Sequence, residues 1–396
     1  MSSRFLARRG NAAFGVARIG ALTAIAAATS LLMPAASAAQ QGVTPGSADV
    51  GASVVMDANM RHANSAFGHF MVAYWNASTR TFYSQSDHEP RPGAKATAPM
   101  WWVAQAWEIV MDDYQRTRTP WDRQLIDDVY DGWITSHGGF SSNYNDDRGW
   151  WALGATRAYE LTGESRFRTT AVQLADDQWR YWDSTFGGGL WWRRSVHDQK
   201  NVATNAPAAM TNATLYQLTG RARFKTRAIA LFAWVDGNLR SGGRLDDRWA
   251  IPSKRVVVDY TYNYGTYIGA ALDLYQITGN HDYLDSATSL ADSAMSRLAS
   301  NGVLRDEGTG DAGGFKGIFV RNLQSLAAMP PSAMPSRRAQ TYASFLSRNA
   351  GVAWHYRTAI RLWSSNWAAH PPAGPIQVLT DMSAVSLFEA QALTSP

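Results

Sequence analysis

Residues 141–163, SSNYNDDRGWWALGATRAYELTG, set the consecutive carboxylates Asp146 and Asp147 among Tyr144, Trp150 and Trp151. Two carboxyls held side by side repel one another, and crowding rings strip them of water, so the pair is expected to keep one proton near neutral pH. One carboxylate with one carboxylic acid is what glycosidic cleavage requires. A plainer role competes: acids in a first helical turn also answer unpaired N–H groups and the helix macrodipole. Asp-Asp recurs at 112–113, 127–128, 176–177 and 246–247. The first three fall on helical runs and read as solvated faces, whereas 246–247 lies in a glycine-flanked loop and stays open.

Other chemistries find little support. Gly308-Thr309-Gly310-Asp311-Ala312-Gly313 matches the dinucleotide fingerprint letter for letter, but it lacks the strand before it and the helix start after it. Nucleophile-elbow, phosphate-loop and His-Glu-x-x-His motifs are missing, the eight histidines show no ligand spacing, and there is no cysteine. No metal and no organic cofactor are expected.

An internal repeat supplies the elements that position the pair. The tripeptides Leu161-Thr162-Gly163, Leu218-Thr219-Gly220 and Ile277-Thr278-Gly279 align. Tyr159, Tyr216 and Tyr275 precede each glycine by four residues, and Phe167, Phe224 and Tyr283 follow by four. Ala171, Ala228 and Ala287, then Leu174, Leu231 and Leu290, extend the match. Spacings of three and four on both sides of a glycine predict a helix, a glycine turn and a second helix. Another hairpin is expected across 101–133, turning at Thr119-Pro120, and helices are expected in 334–363 and 380–393. About six hairpins fit, which predicts an all-α (α/α)6 toroid rather than an open solenoid. The loops 136–146, 184–194, 240–249 and 308–317 would then gather at one end, where a rigid scaffold carries its chemistry.

Residues 1–38 read as a secretory signal: Arg4, Arg8, Arg9 and Arg18, an apolar run from Ala21 to Met33, then Ala36-Ser37-Ala38 as cleavage site. A linker, 39–55, and a single catalytic domain, 56–396, would follow. The apolar run is short and broken by Pro34, so no membrane span is expected. Beyond residue 38 there remain 33 basic against 32 acidic residues, with no basic stripe, so nucleic acid is not an expected partner. The 17 tryptophans include doublets at 101–102, 150–151 and 191–192. Most should be core, yet clusters beside glycine loops also build walls on which sugars stack.

The segment YNDDRGWWALGATRAYELTG resembles the signature of glycoside hydrolase family 76, the endo-α-1,6-mannanases. GGLWWRR, KNVATNAPAAMTNATLYQLTG, YTYNYGTYIGAALDLYQITGN and GGFKGIFVRNL follow in the family's order through most of the chain. The resemblance implies an (α/α)6 barrel and retaining hydrolysis of α-1,6-linked mannan. Asp146 would be the nucleophile and Asp147 the acid/base. It also implies cleft positions for Asn205, Tyr262, Asn263, Phe315 and Lys316, with Trp150, Trp151, Trp191 and Trp192 as stacking candidates, one of each doublet facing the core. RLDDRW stands where the family has Tyr-Asp-Gly, so Asp247 is matched across a departure, as a ligand for a mannose hydroxyl. The expected partner is a mannan polysaccharide, and the expected form a secreted monomer. Three alternatives stay open: a wall transglycosylase using the same site, a sugar epimerase or isomerase on an (α/α)6 toroid, and a silent mannan-binding protein.

Overall fold

A computed structural model describes residues 47–394 apart from Gly93 and Ser253, without side-chain detail before Ala58 or at Lys254. The signal and cleavage site expected in 1–38 lie outside the described residues. Twelve helices are described: α1 (Ser47–Tyr74), α2 (Met100–Thr117), α3 (Pro120–His137), α4 (Asn145–Thr162), α5 (Ser165–Trp179), α6 (Val202–Thr219), α7 (Ala222–Leu239), α8 (Thr261–Thr278), α9 (His281–Arg297), α10 (Phe315–Ala327), α11 (Ser336–His355) and α12 (Val378–Thr394). The first begins at Ser47, inside the stretch expected as linker. In 334–363 the helix stops at His355, and irregular chain runs on to α12.

The even-numbered helices form an inner ring in which α2 packs on α4, α4 on α6, α6 on α8, α8 on α10, α10 on α12, and α12 back on α2. That last contact closes the toroid. The odd-numbered helices stand outside, and the sixth pair joins α1 to α12 from opposite ends of the chain. Composition sorts the rings. Inner helices such as α6, VATNAPAAMTNATLYQLT, carry small residues all round because both sides are covered. Where α8 meets α10, a Cβ on Gly265 would lie 2.7 Å from Phe319 Cα, so only glycine allows the approach.

The repeated Thr-Gly turn is a helix stop. Gly163, Gly220 and Gly279 take φ of 74°, 65° and 69°, and each N–H donates to the tyrosine carbonyl four residues back. Each threonine hydroxyl donates back to the carbonyl of Ala158, Leu215 or Leu274 and accepts the N–H two residues on. At Thr119-Pro120 the threonine hydroxyl caps α3 by accepting Asp122 N–H, with proline at the first helical position. These short turns lie at one end of the barrel. The long loops all feed the N-termini of inner helices at the other.

Among the other aspartate pairs, burial corrects the expectation of solvated faces. Asp112 and Asp113 are 4% and 3% exposed. Asp112 takes Arg157 and Arg321, and Asp113 takes Arg116. Asp127, Asp176 and Asp177 are likewise gripped by arginines.

Candidate active site

The loop end of the barrel opens into a cleft of about 320 Å³, lined by Trp101, Asp146, Trp150, Trp192, Gln199, Asn201, Ala203, Asp247, Arg248, Tyr260, Tyr262, Asp311, Phe315 and Ile318. Five inner helices, α2, α4, α6, α8 and α10, contribute their first turns. Their free N–H groups and aligned dipoles favour negative charge there. A second hollow of about 380 Å³ occupies the axis beyond Trp150 and Ile318. Its Glu108, Asp112, Arg157 and Arg321 are spent on one another, while Glu160 and Asp273, both pushed up by burial, line the same hollow.

Asp146 and Asp147 sit in the first turn of α4, yet neither caps it: the N-cap position is Tyr144, without a side-chain bond. The helix start is fixed instead by buried Asn145. Its N–H donates to the Trp192 carbonyl at 2.8 Å, its side-chain amide to the Trp191 carbonyl at 2.8 Å, and its own carbonyl accepts Gln178 at 2.6 Å. The carboxyls are thereby left free for other work. Burial first, and then the neighbouring Asp147, push Asp146 up to about 7, against a lowering contact from the Trp192 side chain. Its Oδ1 is enclosed without a protein partner. Burial also raises Asp147, whose Oδ2 accepts the Ser142 hydroxyl at 2.7 Å while Asp311 repels it. Two such coupled groups lose their protons in steps that belong to the pair.

The ambiguous pair 246–247 divides. Asp246 is 1% exposed and locked between Arg244 and Arg255, which makes it structural. Asp247 faces the cleft, and its Oδ1 accepts the Tyr262 hydroxyl at 2.6 Å while its Oδ2 accepts Arg248 at 2.7 Å. Rings form the remaining wall: Phe315 packs on Tyr262 at 4.4 Å and on Tyr260 at 5.0 Å, and Trp101 lies 6.4 Å from Trp150.

Six candidates from the sequence do not line this cleft, among them Asp147, whose Oδ2 accepts the Ser142 hydroxyl beside it. Trp151 is fully buried, donating to the Met100 carbonyl at 3.0 Å and packed on Trp107. Trp191 donates to Asp183 at 2.7 Å under the Lys200 ammonium. Asn205 closes its bonds on the backbone of Leu190 and Asn201. Asn263 is buried behind Asp247, its amide 3.5 Å from Oδ1. Lys316 is buried, donating to the Ser365 carbonyl and lying over Trp367. A motif letter reports the residue and not its depth: on an inner helix, one of two neighbours turns to the core. Sequence reasoning passed over Trp101, Asp311, Arg248, Tyr260, Gln199 and Asn201. The Trp101-Trp102 doublet was a visible signal for the first. Among the described residues no group of three or more His, Cys, Asp or Glu is placed to hold a metal ion, and no helix is long and apolar enough to cross a membrane.

A cleft walled by rings, with Asp146 in its lining, Asp147 next to it in sequence and a braced third carboxylate, is equipped to bind a sugar and transfer protons and a glycosyl group. Known proteins agree with this chemistry. The α-1,6-mannanase GH76A from Salegentibacter sp. HEL1_6 is 28% identical, with a TM-score of 0.79 over 84% of this chain and 99% of that one. An inactive variant of that enzyme, with two consecutive aspartates changed to asparagine, has been solved with α-1,6-mannotriose and superposes with the same TM-score of 0.79 and 28% identity over 84% of this chain and 99% of its own. The Lin0763 protein from Listeria innocua is 27% identical, with a TM-score of 0.77 over 84% of this chain and 96% of its own. No protein with a curated description matches significantly. The family model of Glycosyl hydrolase family 76 matches residues 60–395, spanning all but the first half of α1 and the closed ring it completes, and the chain belongs to that family.

Proposed function

We propose that the chain is a retaining endo-α-1,6-mannanase, and the observation that carries this is the Asp146–Asp147 pair, two carboxyls raised by burial on one helical turn, the first of them lining an aromatic cleft. The substrate class is supported by the mannanase of Salegentibacter, whose inactive form lacks two consecutive aspartates and holds a mannotriose.

Asp146, which lines the cleft, attacks the anomeric carbon. The bond to the leaving oxygen breaks, that oxygen takes the Asp147 proton, and a mannosyl ester of Asp146 remains. Water then enters, gives a proton to Asp147 and adds to the anomeric carbon, releasing α-configured mannose and free Asp146. Retention of this kind wants carboxyls about 5–5.5 Å apart, a span that neighbouring side chains can reach. Asp247 accepts a sugar hydroxyl, and Trp150, Trp192, Tyr262 and Phe315 offer faces to the sugar C–H groups. Export by the leader-like residues 1–38 would bring the enzyme to external mannan.

The test is incubation with linear α-1,6-manno-oligosaccharides, following products and anomers by NMR. Internal cleavage with α-anomers appearing first is expected, abolished in Asp146→Asn and strongly reduced in Asp147→Asn. An intact substrate, or undiminished variants, removes the assignment. β-Anomers first would mean inversion, and longer oligosaccharides would mean transfer to sugar rather than water.

A further inference from the structure

The cleft holds a ring and a carboxylate that the steps above do not use. Trp101 lies in the first turn of α2, and Asp311 in the short 3-10 turn Gly310–Gly314 that leads into α10. Both line the cavity that Asp146 lines. Oδ1 of Asp311 accepts two indole N–H groups, from Trp101 at 3.1 Å and from buried Trp102 at 3.0 Å. The far end of the Trp101 ring rests on bare backbone: a Cβ on Gly314 would lie 3.2 Å from its Cη2. The ring is thus held at both ends while only half-buried, and Asp311 is exposed. Among the described residues Oδ2 of Asp311 accepts no hydrogen bond, and no cation pairs with that carboxylate.

We propose that Trp101 and Asp311 form a separate sugar subsite, in which one pyranose of the mannan lays its C–H face on the Trp101 ring and donates a hydroxyl to the free Oδ2 of Asp311. This rests on the mannanase reading of the cleft. A pyranose presents an apolar face and, around its edge, hydroxyls that need acceptors. The indole-to-carboxylate bond sets an acceptor-only group at the edge of a fixed aromatic face, which matches both surfaces at once. The ring of inner helices places the subsite. Asp247 sits between α6 and α8, its carbonyl accepting the Val202 N–H and its side chain the Tyr262 hydroxyl. Asp311 sits between α10 and α2, and α4, with Asp146, packs between α2 and α6. Trp150, one turn beyond Asp146 on α4, lies 6.4 Å from Trp101. The two accessory carboxylates therefore flank Asp146, and a mannan chain crossing the cleft meets one on each side.

The test uses Asp311→Asn, which keeps an oxygen for the two indoles and puts a donor where the free acceptor was, and Trp101→Leu, which removes the face. Each is placed in an Asp146→Asn background, so that calorimetry with α-1,6-mannotetraose reads binding without turnover. Asp311→Asn is expected to weaken binding about ten- to a hundredfold, and Trp101→Leu about three- to tenfold. In 15N spectra of the Asp146→Asn protein, added mannotetraose should shift the Trp101 indole N–H signal, assigned by its loss in Trp101→Leu. Unchanged binding in either variant overturns the proposal, and so does a Trp101 signal that stays put at saturating sugar; Asp311 is then only an anchor for the tryptophans. If Asp311→Asn fails to fold, the Trp101 signal still decides. Cleavage of mannan by the wild-type protein, with both variants binding like their parent, sinks the subsite and leaves the mannanase reading standing. Binding that shows the expected losses, in a protein whose wild type leaves mannan intact, does the reverse.

Discussion

The hydroxyl of Tyr262 donates to Oδ1 of Asp247 across 2.6 Å, and both side chains face the cleft. With Arg248 on the other oxygen, the carboxylate is held from two sides in the cleft that Asp146 also lines. Hydrogen bonds to charged groups contribute about 1.5–3 kcal/mol. Tyr262→Phe should therefore lower kcat/KM on α-1,6-manno-oligosaccharides by roughly ten- to a hundredfold. Its melting temperature should fall as well, since the same buried bond also stabilises the fold, so activity is compared at a temperature where both proteins are folded. Full activity in that variant would remove Asp247 from substrate binding.

Asp146 carries a pH dependence of stability. Its carboxyl titrates at about 7 in the fold against 3.8 ordinarily, with burial as the first cause. Between those values the folded chain binds more protons than the unfolded one. The stabilisation is complete below about pH 4 and is lost as pH rises through about 7. Asp146→Asn cannot ionise and escapes this loss. Urea unfolding should find the inactive variant more stable than wild type at pH 8, by a few kcal/mol at most, with the gap closing near pH 4. A variant that is the weaker of the two at pH 8 contradicts the buried, protonated carboxyl.

The tryptophan doublets separate stability from binding. Trp151 is core and Trp192 is cleft. Trp151→Ala should cost about 3–5 kcal/mol by leaving a large cavity, read as a fall in the unfolding midpoint. Trp192→Ala should leave that midpoint closer to wild type while raising KM and changing the acidic limb of the rate profile, because Trp192 contacts Asp146. Matching effects from the two variants would mean the cleft wall has been misassigned.

The pattern of Tyr, Thr-Gly and Phe made the hairpins legible because a helix stop has local causes: a positive φ and a carbonyl four residues back. Closure of the ring was inferred from repeat number and is made by α12 on α2, helices far apart in sequence. The Asp pair was legible through its neighbours. Depth was not. Asn205 and Lys316 carry polar letters that suggest a cleft, yet both spend their polar atoms on backbone carbonyls inside the wall. Asp311 lay within a glycine string that was set aside as a chance fingerprint. Its meaning comes from Trp101 and Trp102, some 210 residues earlier, and no local spacing shows that pairing.

Lys200 was equally silent in sequence and holds the loop that brings Trp192 to the cleft. Its ammonium is fully buried. It donates toward Asp183 Oδ1 at 2.7 Å and toward the carbonyls of Thr185 at 2.8 Å, Gly188 at 2.7 Å and Asp183 at 3.2 Å. The same strand ties down Trp192, whose N–H donates to the Gln199 carbonyl at 2.9 Å. Lys200→Met keeps much of the stem and takes the ammonium from the carbonyls of Thr185 and Gly188, while Asp183 keeps the Trp191 indole and the Thr185 N–H. Asp183 is 42% exposed and can turn to water, so the cost is that of the carbonyls left without a donor, about 1–3 kcal/mol. Because the loop is a local unit, the loss should show first as cleavage near Phe186–Gly189 under limited proteolysis, before the helices open. Activity should fall with it, as Trp192 leaves Asp146. A variant that resists protease like wild type would mean the glycines and tryptophans shape the loop unaided.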